Sequence, residues 1–196
     1  MTTKTIQSPK VGKTEKFLRK SPNARKYSEV RTREHLLPAE VEAMRRAVKK
    51  SQGRHAHRDS TLILLIYRHG LRVAEATALK WEQIDFSGGT IYVKRVKKGT
   101  PSVQPLYGDE IRSLRKLQRD YPASPHVFQS SRHGSLAQDT IGGIVERAGL
   151  LATLPFPVHA HMLRHGTGYY LANRGTDTRT IQSYLGHNNI RPLAKV

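Results

Sequence analysis

The sequence contains no cysteine and no long apolar segment. The lack of cysteine excludes disulfides, thiolate zinc sites and a cysteine nucleophile, and it is typical of a reducing compartment. The longest apolar run, "TLILLIY" (61–67), is too short to cross a bilayer, and the N-terminus lacks the apolar core of a signal peptide. We therefore expect a cytoplasmic protein with no membrane segment and one well-buried core.

Acidic residues are also scarce, because 15 Asp and Glu stand against 34 Lys and Arg. Such an imbalance favours a polyanionic partner, either a nucleic acid or an anionic membrane surface. Residues 1–34 hold ten Lys or Arg against three Glu and few large apolar residues. We expect this segment to be a mostly disordered basic arm, and two roles remain open for it: a solvated tail or an arm that follows DNA.

Apolar spacing and capping residues predict a mainly α fold with a small antiparallel β-sheet (α+β). Asp59 or Ser60 is a candidate cap of the most apolar helix, Gly70 ends that helix, and Thr176 is the expected cap of the last one. Alternation in "TIYVKRV" (90–96) and "SVQPLY" (102–107) predicts a hairpin. The predicted helices cover residues 36–50, 61–70, 72–81, 109–121, 137–150, about 161–175, and 176–187.

At two positions of the predicted fold, basic side chains are expected to face an anion rather than only bulk solvent. Arg72 follows the Gly70 break and opens a helix, where its planar fork can meet an anion near the helix start. The alternative is an ion pair with Glu75 on the same helix. Lys97 and Lys98 lie at the tip of the predicted hairpin, where a lysine can act as a charged proton donor or only protect a sheet edge.

The stretch "HAHMLRH" (159–165) holds a third candidate group. His161 and Arg164 are three residues apart, so they share a helix face, whereas His165 is expected to point elsewhere. His161 and His165 have the spacing of some zinc helices, but no glutamate or third ligand accompanies them, so we expect no metal. His187 closes the next helix after "LG", where it can serve the site or only satisfy terminal carbonyls.

Taken in order, these stretches resemble the catalytic domain of the tyrosine site-specific recombinases, the phage-integrase family. "HGLRVAEATALKWEQIDF" resembles the first arginine box, with Arg72 at its arginine, and "VKRVKKGTPSVQPL" resembles the hairpin of the catalytic lysine, with Lys97 at that position. "HAHMLRHGTGYYLANRGTDTRTIQSYLGHNNI" resembles the second box and matches His161, Arg164 and His187. The similarity runs from about residue 35 to 190 and is greatest to the short fimbrial phase-variation recombinases, which invert a promoter segment.

The resemblance implies a metal-free and ATP-free reaction. Arg72 and Arg164 would clamp the scissile phosphate, Lys97 would protonate the leaving 5′ oxygen, His161 would act as base or positioner, and His187 would hydrogen-bond the phosphate. A tyrosine would attack to form a 3′-phosphotyrosyl link, so no cofactor is expected. Double-stranded DNA is the expected partner, together with further copies of the chain or an intact relative on the DNA. The side chains expected to contact the DNA are Lys94, Arg95, Lys98 and Arg132.

The nucleophile is where the sequence departs from the family. In relatives, the tyrosine lies about nine residues after the last box histidine. Nine residues after His187 is Val196, and Pro192 would interrupt the helix that bears the tyrosine in relatives. Tyr169, Tyr170 and Tyr184 lie upstream and suit packing rather than attack. We therefore expect residues 35–196 to be a catalytic domain without its tyrosine helix. It would be a truncated product, a subunit served by a partner's tyrosine, or a non-enzymatic DNA-binding protein that occupies recombination sites.

Overall fold

The computed structural model describes residues 33–96, 99–122 and 124–186. The predicted basic arm lies outside the described residues except for its last two positions. Lys97, Lys98, His187 and Val196 also lie outside them. Across the described ranges, no helix combines the length and the apolar character that a bilayer crossing requires.

Seven α-helices and three short strands make up the secondary structure of the described ranges, with one 3₁₀ turn at Trp81–Gln83. The helices are α1 (Pro38–Lys50), α2 (Ala56–His69), α3 (Val73–Ala78), α4 (Gly108–Asp120), α5 (Gln138–Leu151), α6 (Ala160–Asn173) and α7 (Thr178–Leu185). The strands are β1 (Ile84–Asp85), β2 (Thr90–Val93) and β3 (Ser102–Pro105). The prediction of a mainly helical fold with a small antiparallel sheet is confirmed.

Helix α2 lies at the centre of the core, and its residues from Arg58 to Tyr67 are buried. It contacts α1, α4 and α6 along its length. Leucine and isoleucine side chains of α2 are fully buried against the apolar face of α1 and against Leu114 and Leu117 of α4. Removing this much apolar surface from water is the main favourable term in folding. The end of α2 is consequently a rigid support for whatever follows Gly70.

The sheet has the order β1–β2–β3, with both neighbours antiparallel to β2. Ile91 lies opposite Gln104, and Tyr92 lies opposite Val103. The predicted hairpin is confirmed, and residues 94–101 connect its two strands. Strand β1 was not predicted, because two residues show no alternation.

The start of α2 differs from the prediction. The helix begins at Ala56, so neither Asp59 nor Ser60 is its cap. The Asp59 carboxylate instead accepts hydrogen bonds from Nε and Nη2 of Arg58 at 2.9 and 2.7 Å. The Asp59 side chain is therefore part of a buried ion pair and does not cap the helix.

The last helix also begins differently. Its cap is Asp177, whose Oδ1 accepts a hydrogen bond from the Thr180 amide at 3.0 Å, and the prediction of Thr176 as the cap is wrong. Both residue types can cap a helix, and spacing alone does not choose between neighbours. The helix ends at Gly186, which has the left-handed φ of 66° that favours glycine.

Candidate phosphate-binding site

Arg72 is placed by the turn that ends α2. Gly70 has a φ of 56°, and Arg72 is the residue that caps α3. Its Nη1 donates to Oε1 of Glu75 at 2.7 Å, and its amide donates to Oε2 at 2.9 Å. The Arg72 side chain is still 26% exposed. Of the two alternatives that the sequence offered, the structure shows the ion pair with Glu75, and the partial exposure of Arg72 is compatible with an anion contact.

Arg164 reaches the same carboxylate from α6. It is almost completely buried, and its guanidinium donates to the carbonyl of Gly70 and, at 2.6 Å, to the carbonyl of Leu185. Its Nη1 lies 3.9 Å from Oε2 of Glu75. Arg72 and Arg164, which are far apart in sequence, thus converge on one group.

Glu75 is the centre of this cluster, and the sequence offered it only as a partner of Arg72. Burial alone would raise the pKa of Glu75, but hydrogen bonds from Arg72 and the charge of Arg95 outweigh that effect and lower it. Burial lowers the pKa of Arg164 to about 9, helped by the charges of Arg72 and Arg95. Arg164 therefore stays charged at neutral pH, and three cations surround one anion.

His161 lies in the first turn of α6, exposed and three residues before Arg164. Burial of part of the ring lowers its pKa below the usual 6.5, and the charges of His165, Arg164 and Arg72 act in the same direction. His161 is therefore mostly neutral at pH 7 and able to accept a proton. The ring of His165 stands edge-on to it at 4.4 Å, so His165 borders the site rather than pointing elsewhere.

The four side chains expected to contact DNA fall into three groups. Lys94 and Arg132 are exposed, whereas Lys98 lies outside the described residues. Arg95 is buried, and its Nη1 donates to Oε2 of Glu75 at 2.8 Å. Its two Nη atoms make four hydrogen bonds, to Glu75 and to the carbonyls of Gly70, His69 and Tyr184, so all four of their N–H groups are engaged within the protein and none is left for a phosphate.

The three tyrosines near the second box are engaged elsewhere. The Tyr184 hydroxyl donates to the carbonyl of Arg68 at 2.9 Å. The Tyr169 ring stacks on His35 at 3.8 Å, and the Tyr170 hydroxyl accepts a hydrogen bond from Arg174 at 3.0 Å. Among residues 33–96, 99–122 and 124–186, no three His, Asp or Glu side chains cluster as metal ligands would.

Comparison with known proteins places these features in one family. The Phage integrase family model matches residues 34–195. The type 1 fimbriae regulatory protein FimE of Escherichia coli K12 is 39% identical over 165 residues, which cover 81% of this chain and 82% of FimE. FimB of the same strain is 38% identical over 164 residues, with 81% of each chain covered.

A solved structure shows the same architecture. The XerH site-specific recombinase bound to its difH substrate superposes with a TM-score of 0.71 and 25% identity. The match covers 80% of this chain and 48% of XerH, so the chain spans about half the length of that recombinase. The match to the family model, together with the identity to FimE and FimB over most of their length, shows that this chain belongs to the phage integrase family of tyrosine recombinases.

Proposed function

We propose that this chain binds duplex DNA and holds one phosphodiester for strand cleavage and rejoining in site-specific recombination. The observation that carries the proposal is the cluster in which Arg72, Arg95 and Arg164 surround the Glu75 carboxylate. Three cations around one anion leave a net positive charge beside the partly exposed Arg72, and such charge binds phosphate well. Inversion of a promoter segment is the task we propose, because the sequence resembles the fimbrial phase-variation recombinases and is 39% and 38% identical to the type 1 fimbriae regulatory proteins FimE and FimB.

The chemistry assigned to the cluster is stabilisation of charge on the phosphate. Arg72 and Arg164 would donate hydrogen bonds to the non-bridging oxygens, whose negative charge grows as the nucleophile attacks. Because Glu75 and the surrounding carbonyls hold both guanidiniums in place beforehand, little reorganisation is needed at the moment of reaction.

Proton transfer is assigned to two further residues, His161 and Lys97. A tyrosine oxygen forms a bond to phosphorus while the bond from phosphorus to the 5′ oxygen breaks. The neutral His161 ring would accept or position the tyrosine proton, and Lys97 would donate a proton to the leaving 5′ oxygen. His187 would hydrogen-bond the phosphate. The phosphotyrosyl ester keeps the energy of the broken bond for rejoining, so the steps balance without metal or ATP.

We propose that none of the tyrosines within these 196 residues is the attacking nucleophile. The last tyrosine of the sequence is Tyr184. Its hydroxyl is bonded to a backbone carbonyl, and burial raises its pKa, which disfavours the phenolate. The same observation favours a second function, that of a DNA-binding protein that occupies recombination sites and modulates an intact relative.

The domain limits and the location of the protein follow the same proposal. We assign residues 35–196 to the recombinase domain and residues 1–34 to a basic arm that adds contacts along the DNA backbone. Lys94, Lys98 and Arg132 are assigned to DNA contacts, and Arg95 is not. We propose a cytoplasmic location, because a recombinase must reach its DNA substrate.

Trapping on a nicked suicide substrate tests these proposals. The duplex is one that the protein itself selects from a randomised pool, and the relative is a FimE variant whose arginine aligned with Arg72 is changed to Met. We expect no covalent adduct with either protein alone and an adduct on the relative's tyrosine in the mixture. Tight binding without an adduct in the mixture would favour the modulator, and an adduct on this chain alone would contradict the assignment of the nucleophile.

A further inference from the structure

Arg95 joins three segments of the site from inside the protein. Its Nη1 donates to Glu75 on α3 and to the carbonyl of Gly70 at 3.2 Å. Its Nη2 donates to the carbonyl of His69 at 3.1 Å and to the carbonyl of Tyr184 near the end of α7. A planar guanidinium with several donors suits this task, because its fork fixes partners on two sides at once.

Two glycines leave room for the Arg95 side chain. A Cβ added to Gly186 would lie 2.6 Å from Cγ of Arg95, and one added to Gly99 would lie 2.7 Å from its Cβ. Both distances are shorter than side chains tolerate, so the alkyl stem passes directly between these two backbone segments. In the sequence, Lys97 lies two residues after Arg95, and His187 directly follows Gly186. Arg95 therefore holds together the bases of the two segments that bear the remaining box residues.

The end of α7 is held by neighbouring side chains as well. Gln104 on β3 donates from Nε2 to the carbonyl of Tyr184 at 3.0 Å, and Arg164 donates to the carbonyl of Leu185. The last carbonyls of a helix have no partner within the helix. Here Arg95, Gln104 and Arg164 supply those partners, so the helix end and the arginine cluster form one unit.

Arg95 also determines how much positive charge is left for a ligand. Oε2 of Glu75 is 2.8 Å from Nη1 of Arg95 and 3.9 Å from Nη1 of Arg164. Without Arg95, Arg164 would be the remaining buried guanidinium beside that oxygen, and the carboxylate would draw it away from an incoming anion. A direct ion pair between Glu75 and Arg164 would cancel one of the two charges that the phosphate needs.

We propose that Arg95 is a positioning residue that occupies the Glu75 carboxylate and thereby keeps Arg164 available to the DNA phosphate. The proposal rests on the proposed function, because it concerns the same phosphate. Arg95 touches no substrate in this role and acts through Glu75 and the end of α7. Lysine at this position would still supply a charge to Glu75, although it could not bridge the carbonyls.

The test compares phosphate recognition in Arg95→Met, Arg95→Lys and the native chain. The probe is the duplex that the protein selects, with one phosphate at a time replaced by a neutral methylphosphonate. Because charge-assisted hydrogen bonds are strong, the native chain should lose affinity about tenfold or more at one position. For Arg95→Met, the same methylphosphonate replacement should lower the affinity less than about threefold. For Arg95→Lys, it should lower the affinity nearly as much as for the native chain. Arg112→Met, on the exposed face of α4, is the matched control and should behave as the native chain does.

The outcomes separate the two proposals. If the native chain shows no position-specific loss, the proposed phosphate clamp itself is overturned. If the native chain shows the loss and folded Arg95→Met keeps it, only the role of Arg95 is overturned. If Arg95→Lys is as insensitive to the methylphosphonate as Arg95→Met, then Arg95 supplies the bridging of carbonyls and not the charge, and this result also overturns the proposal. Should Arg95→Met not fold, Arg95→Gln replaces it: its neutral amide can fill the site but leaves the charge of Glu75 unneutralised, so the loss should again be less than about threefold, and a loss of native size would overturn the role of Arg95.

Discussion

Replacing Glu75 by Gln should destabilise the protein in a manner that depends on pH. At pH 7 the carboxylate accepts from Arg72 at 2.7 Å and from Arg95 at 2.8 Å, and the amide of Val96 lies 3.2 Å from Oε1. Glutamine has the same shape but no charge, and its NH₂ group would face a donor. The substitution leaves buried guanidiniums without a counter-charge, and breaking a buried ion pair in this way costs about 3 to 5 kcal/mol.

The dependence on pH follows from the lowered pKa of Glu75 in the folded protein. Its folded pKa lies below the ordinary value of 4.5, so the stabilisation is fully present above that value and is lost as the pH falls through the folded pKa. Urea unfolding of the native chain and of Glu75→Gln, followed by circular dichroism from pH 7 to pH 3.5, measures the difference. The gap in the free energy of unfolding should be largest at pH 7 and should shrink below about pH 4.5.

Glu82→Gln is the control for this experiment. The Glu82 side chain is 74% exposed and lies 3.8 Å from Lys80, so its removal should change stability by less than about 1 kcal/mol. A Glu75→Gln protein within about 1 kcal/mol of the native chain at pH 7, or a gap that does not change with pH, would refute the view that Glu75 holds the cluster together.

Three further outcomes are expected. Gly70→Ala should lose more stability than Gly175→Ala by urea unfolding, because both glycines have positive φ but an added Cβ meets a leucine methyl at 2.3 Å only at Gly70; equal losses would contradict the packing. The His161 ring, followed by NMR, should titrate below pH 6.5, and a midpoint above that value would place it outside the field of the arginines. Tyr184→Phe should lower the free energy of unfolding by about 1 kcal/mol, because one hydrogen bond to a carbonyl is lost; no change would mean that the bond is not formed in solution.

Local patterns predicted much of the fold. Helical spacing located the helices, alternation located the hairpin, and Gly70 marked the end of α2. The placement of Arg72 after that break, and of His161 and Arg164 on one face of α6, was also readable from spacing. These features depend on residues within a turn or two of each other, where backbone geometry decides.

Contacts over long sequence distances were not readable. Glu75 meets Arg95 and Arg164 only because the hairpin and α6 pack against the end of α2. One signal for Arg95 was present, since its position continues the alternation of the buried Ile91 and Val93. A charged residue on an inward face needs a buried partner, and no local pattern names that partner.

The most direct test of the phosphate clamp is a double-mutant cycle in which one change is made in the protein side chain and the other in the DNA phosphate. Binding of the selected duplex is measured for the native chain and for Arg72→Met, each with the phosphate at the sensitive position either native or replaced by methylphosphonate. If Arg72 contacts that phosphate, either change should weaken binding and the two together should weaken it little further, with a coupling of at least about 1 kcal/mol. Losses that simply add, as expected for Arg112→Met, would contradict the clamp.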